Sequence, residues 1–132
     1  MIPPILTAFY AGLAALVVLS LTWAVIRRRR KDRIVHGDGG DKAMAKLIRG
    51  HANATETIPL ALILLGLTEA MGAPASAVHV AGATLVIGRV FHALHFAGKG
   101  PFIFRPIGMG ATLLVIAVLA IGLIAHALSQ GL

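Results

Sequence analysis

From Ile5 to Ile26 the chain runs without a single charged residue. A run of this length is about what a helix needs to cross a hydrocarbon core roughly 30 Å thick. The same pattern recurs, so the chain is read as an all-α integral membrane protein. Four spans are expected, at about 5–26, 42–70, 75–97 and 107–128, forming one four-helix transmembrane domain over residues 1–132. Only 13% of residues are charged and 58% are hydrophobic, against about 25% and 45–50% in a soluble domain. The length leaves no room for a separate soluble domain. There is no cysteine, so the protein supplies no thiolate of its own, and any sulfur nucleophile must come from a ligand. Span 1 has no basic residues before it and Arg27-Arg28-Arg29-Arg30-Lys31 after it, which does not fit a cleaved signal peptide.

The net charge of +7 is unevenly placed: eight of the twelve Lys and Arg lie between Arg27 and Lys46. After a hydrophobic span, such a run reads as a topology signal and a collar facing lipid phosphates, not as a nucleic-acid site. Loop 1–2 is strongly basic, and loop 3–4 holds Lys99 and Arg105. Loop 2–3 and both termini carry no Lys or Arg. The positive-inside rule therefore predicts both termini outside and both basic loops in the cytoplasm. Asp41 is the expected N-cap of the second helix, and the Asp/Gly pattern before it reads as turn chemistry.

The second span carries charge where lipid should be. At 100° per residue, Arg49, Asn53 and Glu56 fall at about 0°, 40° and 340°, on one face. On the third span, Arg89, His92 and Phe96 likewise share a face. Charge at mid-helix costs roughly 2.5–3.5 kcal/mol per residue even on lenient scales, so it usually serves a purpose. Met71-Gly72-Ala73-Pro74 is a tight turn, which makes spans 2 and 3 antiparallel neighbours. With the turn centred near residue 73, Glu56 is level with Arg89, Asn53 with His92, and Arg49 with Phe96. An ion pair between Glu56 and Arg89 is expected to fix the register. Arg49, Asn53 and Arg105, with the arginines ending span 1, would then form a cationic pocket open to the cytoplasm. Arginines in such a pocket clamp carboxylates bidentately. His51 and His95 point elsewhere in their helices. His92 and His95 stand at i, i+3, but no acidic residue or cysteine completes a metal set, so no metal site is expected. Glu69, near the outer end of span 2, is expected to be solvated, and Trp23 to anchor the cytoplasmic interface.

The string Arg49-x-His51-x-Asn53-x-x-Glu56-x-x-Pro59, with Arg89-x-x-His92 on the third span and Arg105 after it, resembles the MAPEG superfamily. These are membrane-associated proteins in eicosanoid and glutathione metabolism, and they include the microsomal glutathione transferases. The resemblance covers essentially the whole chain, and the loop Arg33-Ile34-Val35-His36-Gly37-Asp38-Gly39-Gly40 looks like the bacterial branch. It implies a homotrimer with glutathione, the co-substrate, bound between subunits in the cytoplasmic half. It further implies that Arg49, Asn53 and Glu56 hold the carboxylates and amine of glutathione, with His51 in contact. Arg89, His92 and Phe96 would line the site, Arg29 would reach it from span 1, and Arg105 would stabilise the thiolate. The implied activity is that of a detoxifying transferase or peroxidase in a bacterial inner membrane, acting on small lipophilic electrophiles or lipid hydroperoxides. The chain departs from many relatives in having Phe96 in place of tyrosine and no aromatic at Thr57, and from the prostaglandin synthase of the family in having Ala52 in place of arginine and Pro106 in place of serine. Hydroxyl contacts to the ligand are therefore fewer, and eicosanoid synthesis is not expected. The competing reading is a non-enzymatic membrane protein whose pocket takes anionic lipid headgroups or another anionic metabolite. A third is a ligand-free scaffold trimer.

Overall fold

A computed structural model of the chain describes residues 3–131 as four helices, α1 (Ile5–Asp32), α2 (Lys42–Ala70), α3 (Ala75–Phe96) and α4 (Phe104–Ser129). Three of them, α1, α3 and α4, are long and apolar enough to cross a membrane. Helix α2 has 29 residues, about 44 Å at 1.5 Å per residue, and is as long as its neighbours. Its charged residues set it apart, as expected for the second span: Lys42, Lys46 and Arg49 fall in its first half and Glu56 at its midpoint. Helices α2 and α3 form the centre of the bundle. Helix α1 packs on both, as does α4, and among the described residues α1 and α4 do not touch.

Two helix ends differ from expectation. Helix α1 continues six residues past Ile26, so Arg27 to Arg30 ride on its final turns, where cations suit the negative end of the helix dipole. Arg33 ends it in the left-handed conformation (φ 54°), donating its N–H to the Arg29 carbonyl. Helix α4 starts at Phe104, three residues before the expected Ile107. Arg105 and Pro106 thus lie in its first turn, where a proline is tolerated because the N–H it lacks would have no partner in the helix. Asp41 caps α2 as expected, its carboxylate accepting from the Ala43 N–H at 2.9 Å. The same carboxylate accepts from Arg28 at 2.6 Å, and Arg28 also pairs with Asp32. The long basic loop is thereby tied back to α1.

Glu69 is buried, contrary to the expectation that it is solvated. Its two carboxylate oxygens accept from the backbone N–H groups of Leu6 (2.8 Å) and Thr7 (2.7 Å). The reason is local: α1 begins after Pro4, whose side chain cannot cap, so its first-turn donors need an acceptor from elsewhere. An acid there also meets the positive end of the α1 dipole.

The core is apolar and divides in two. Tyr10, Ala61, Leu65, Val78, Leu85, Val115 and Leu119 pack toward the α2–α3 turn. Ala14, Leu21, Leu47, Ala54, Ile58 and Ala93 pack toward the α1–α2 loop. Helices α3 and α4 approach closely through Gly88 and Gly108. A Cβ at Gly88 would stand 3.2 Å from the Gly108 carbonyl oxygen, and one at Gly108 would stand 2.8 Å from the His92 Cβ. Small residues of this kind let membrane helices gain van der Waals contact. This contact sets His92 of α3 beside the first turns of α4.

Candidate functional site

Where α2, α3 and the start of α4 meet, at the end of the bundle holding the basic loops, a cavity of about 450 Å³ opens. Arg49 and Asn53 reach it from α2, His92 and Phe96 from α3, and Arg105, Pro106 and Met109 from α4, with Phe102 from the preceding loop. Helical spacing explains each set. Arg49 and Asn53 are one turn apart, as are His92 and Phe96, and Arg105 and Met109. The Arg105 guanidinium lies 5.9 Å from the centre of the Phe96 ring, within cation–π range. His92 and Phe96 have ring centres 4.6 Å apart. Gly50 leaves the space that the Phe96 ring occupies, since a Cβ there would come within 2.6 Å of the ring Cγ.

Five of the expected site residues, Arg49, Asn53, His92, Phe96 and Arg105, therefore converge within the single chain. Glu56 lies beside them, exposed, with its carboxylate 3.7 Å from Arg49. The expected Glu56–Arg89 ion pair is not formed. Arg89 is buried and donates instead to Asn53 Oδ1 (3.0 Å) and Thr57 Oγ1 (2.8 Å). The predicted depth was sound, because Thr57 is level with Arg89. The face was not: Thr57 lies about 100° around α2 from Glu56. Arg89 stands behind Asn53 and does not line the cavity. His51 faces α1, with its Nε2 2.9 Å from the Thr22 hydroxyl. Arg29 donates to the carbonyls of Val35 (3.4 Å) and Gly37 (3.0 Å) and so shapes the loop.

Sequence reasoning missed Phe102 and Met109. Both are apolar, and only their spacing from Arg105 could have flagged them. It also missed Thr57 as the acceptor for Arg89. A second groove of about 800 Å³ lies between α3 and α4 near the α2–α3 turn. Its lining is chiefly apolar, with Val80, Leu114, Val118 and Leu123, so it offers little chemistry beyond contact with hydrocarbon.

The polar cavity is cationic. Arg105 has no carboxylate partner among the described residues, and the nearest acid to Arg49, Glu56, is half exposed. The sequence model of the MAPEG family matches residues 7–125, nearly the whole chain. The chain belongs to the MAPEG family. The inner membrane protein YecN of Escherichia coli strain K12 is 39% identical over 106 residues, which is 80% of each chain. YecN of Escherichia coli O6:H1 matches to the same extent. MAPEG membership and the apolar helices together make the chain a membrane protein. Of the polar residues that carry the family resemblance, Arg49, Asn53, His92 and Arg105 line the cavity.

Proposed function

We propose that this MAPEG protein is a glutathione-dependent transferase or peroxidase of a bacterial inner membrane. The observation that carries the reading is the cavity shared by Arg49, Asn53, His92 and Arg105. Its two arginines suit a ligand with more than one carboxylate. The Arg49–Glu56 pair sets a cation beside an anion, which suits the zwitterionic amino-acid end of glutathione. Arg105 remains for the sulfur. A cation near a thiol favours the thiolate, which is the nucleophile. Phe102, 69% exposed, and Met109 give the cavity an apolar wall along which a lipophilic substrate arrives from the bilayer.

In the transferase reaction the thiol proton leaves to solvent. The thiolate sulfur then attacks the electrophilic carbon of, for example, an aryl halide. The carbon–sulfur bond forms and halide departs with the bonding pair. In the peroxidase reaction two glutathiones reduce a lipid hydroperoxide to the alcohol and water and leave as the disulfide. The protein contributes proximity and thiolate stabilisation. Arg49 and Glu56 are more than half exposed in the single chain, and charge left facing lipid is costly. A homotrimer in which neighbouring copies cover this face, with the ligand between them, answers that cost. The cytoplasm, where glutathione is found, is the side to which both basic loops are assigned.

The test is a titration of the purified protein with glutathione, followed by thiolate ultraviolet absorbance and by turnover of a model aryl halide. No absorbance change at millimolar ligand, with turnover equal to the uncatalysed rate, would overturn the proposal. A second reading rests on the outward-facing cations Arg27, Arg30, Lys31 and Arg33 at the end of α1. In that reading the cavity and its collar take anionic lipid headgroups. Phospholipid that stays bound after Arg105→Ala, with no response to glutathione, would favour it.

A further inference from the structure

Arg89 is fully buried, yet no carboxylate among the described residues pairs with it. Its Nε and Nη2 have no hydrogen-bond partner there, and Nη1 alone makes both contacts, to Asn53 Oδ1 and Thr57 Oγ1. A guanidinium has donors and no acceptor. The Asn53 atom that meets it must therefore be the amide oxygen. This settles by chemistry which way the amide is turned. Thr57 completes the arrangement: its hydroxyl hydrogen goes to the Asn53 backbone carbonyl at 2.8 Å, leaving a lone pair for Arg89. Asn53 Nδ2 makes no hydrogen bond among the described residues, and Asn53 lines the cavity while Arg89 does not.

We infer that Arg89 is a positioning residue, held by Thr57, that turns the Asn53 amide so that its NH₂ faces the cavity. The cavity then presents donors from Arg49, Arg105 and Asn53, with the uncompensated charge of Arg89 behind them. It selects groups that only accept hydrogen bonds, namely a carboxylate, thiolate or sulfonate, over alcohols and amines. This rests on the cavity being the ligand site proposed above, and it defines which part of a ligand that site takes. Thr57 stands where the resemblance to many relatives leads one to expect an aromatic.

The experiment measures binding of two probes, glutathione and glutathione sulfonate, to the purified full-length protein by calorimetry, alongside thermal unfolding. In Asn53→Asp, Arg89 keeps an acceptor, but a carboxylate oxygen replaces the NH₂. Affinity for both probes is expected to fall about tenfold or more, with the unfolding temperature held or raised. Thr57→Val is expected to weaken both probes severalfold, and Thr57→Ser to restore them, which a purely structural role for Arg89 would not produce. Unchanged affinity in Asn53→Asp, or equal behaviour of the valine and serine variants, overturns the inference while leaving the proposed activity intact. Binding of the sulfonate but not of glutathione by the unsubstituted protein removes the thiol reading, and the Asn53→Asp result still decides the inference. Binding of neither probe overturns both.

Discussion

Arg89 on α3 donates to the Thr57 hydroxyl on α2 at 2.8 Å, and this contact determines what Glu56 is free to do. Had the arginine turned to Glu56, the carboxylate would be spent on an internal ion pair and Arg49 would be alone. With Arg89 held by two neutral oxygens, Glu56 stays at the surface of α2 within 3.7 Å of Arg49. The neighbouring charges of opposite sign then remain available to a ligand or to a second copy of the chain.

Replacing Arg105 by alanine removes the cation assigned to the sulfur. Turnover of a model aryl halide at neutral pH is expected to fall about tenfold or more, because without the cation the bound thiol has a higher pKa and less of it is thiolate. Glutathione affinity should change much less, since Arg49 and Asn53 remain. Steady-state kinetics together with thiolate absorbance separate the two effects.

Phe96→Tyr adds a hydroxyl beside His92 and Arg105. One additional hydrogen bond to the ligand is worth a factor of about two to ten in affinity. Calorimetric titration with glutathione should show tighter binding, with thermal stability close to that of the unsubstituted protein.

Gly108→Ala tests the close approach of α3 and α4. The added methyl would meet the His92 Cβ at 2.8 Å and press on the Gly88 backbone. A loss of about 1–3 kcal/mol in stability is expected from overpacking. Because His92 lies at the contact, the cavity should also widen. Thermal unfolding and glutathione binding should therefore both suffer, whereas Gly110→Ala, with nothing within 4 Å, should leave both unchanged.

The Asp41 cap makes the α1–α2 loop sensitive to acid. Its hydrogen bond from the Ala43 N–H, and then that from Arg28, hold this carboxylate below its ordinary value of 3.8. A lowered carboxylate value means that the cap's contribution is complete above about pH 4 and is lost as the pH falls through the lower folded-state value. Hydrogen exchange at the Ala43 amide, corrected for its intrinsic pH dependence, should therefore accelerate in strong acid. In Asp41→Ala it should already be fast at neutral pH.

Much of this arrangement is legible in the sequence because it follows from helical period and from the short turn at residues 71–74. Those two facts place Asn53 level with His92 and Arg49 level with Phe96, and all four line the cavity. What could not be read is rotation. Arg89 reaches Thr57 in place of Glu56 because long side chains choose among acceptors about 100° apart on the partner helix, and sequence spacing does not rank those. The burial of Glu69 was hidden for another reason. Its partners are backbone N–H groups of Leu6 and Thr7, which have no side-chain signature. The extension of α1 through its arginines, and the early start of α4, escaped because a hydrophobic span marks where lipid ends and not where the helix ends.

The Glu69 clasp has a consequence for biogenesis. Residues 6 and 7 emerge from the ribosome long before residue 69, and α1 must enter the bilayer while the amide donors of its first turn are still without their carboxylate. Only when α2 has been made and has packed along α1 can the acid reach that end and close the hairpin. The first two helices are thus locked together by an event late in their insertion, and a chain cut short before residue 69 would leave the first helix in the membrane with its leading end unsealed.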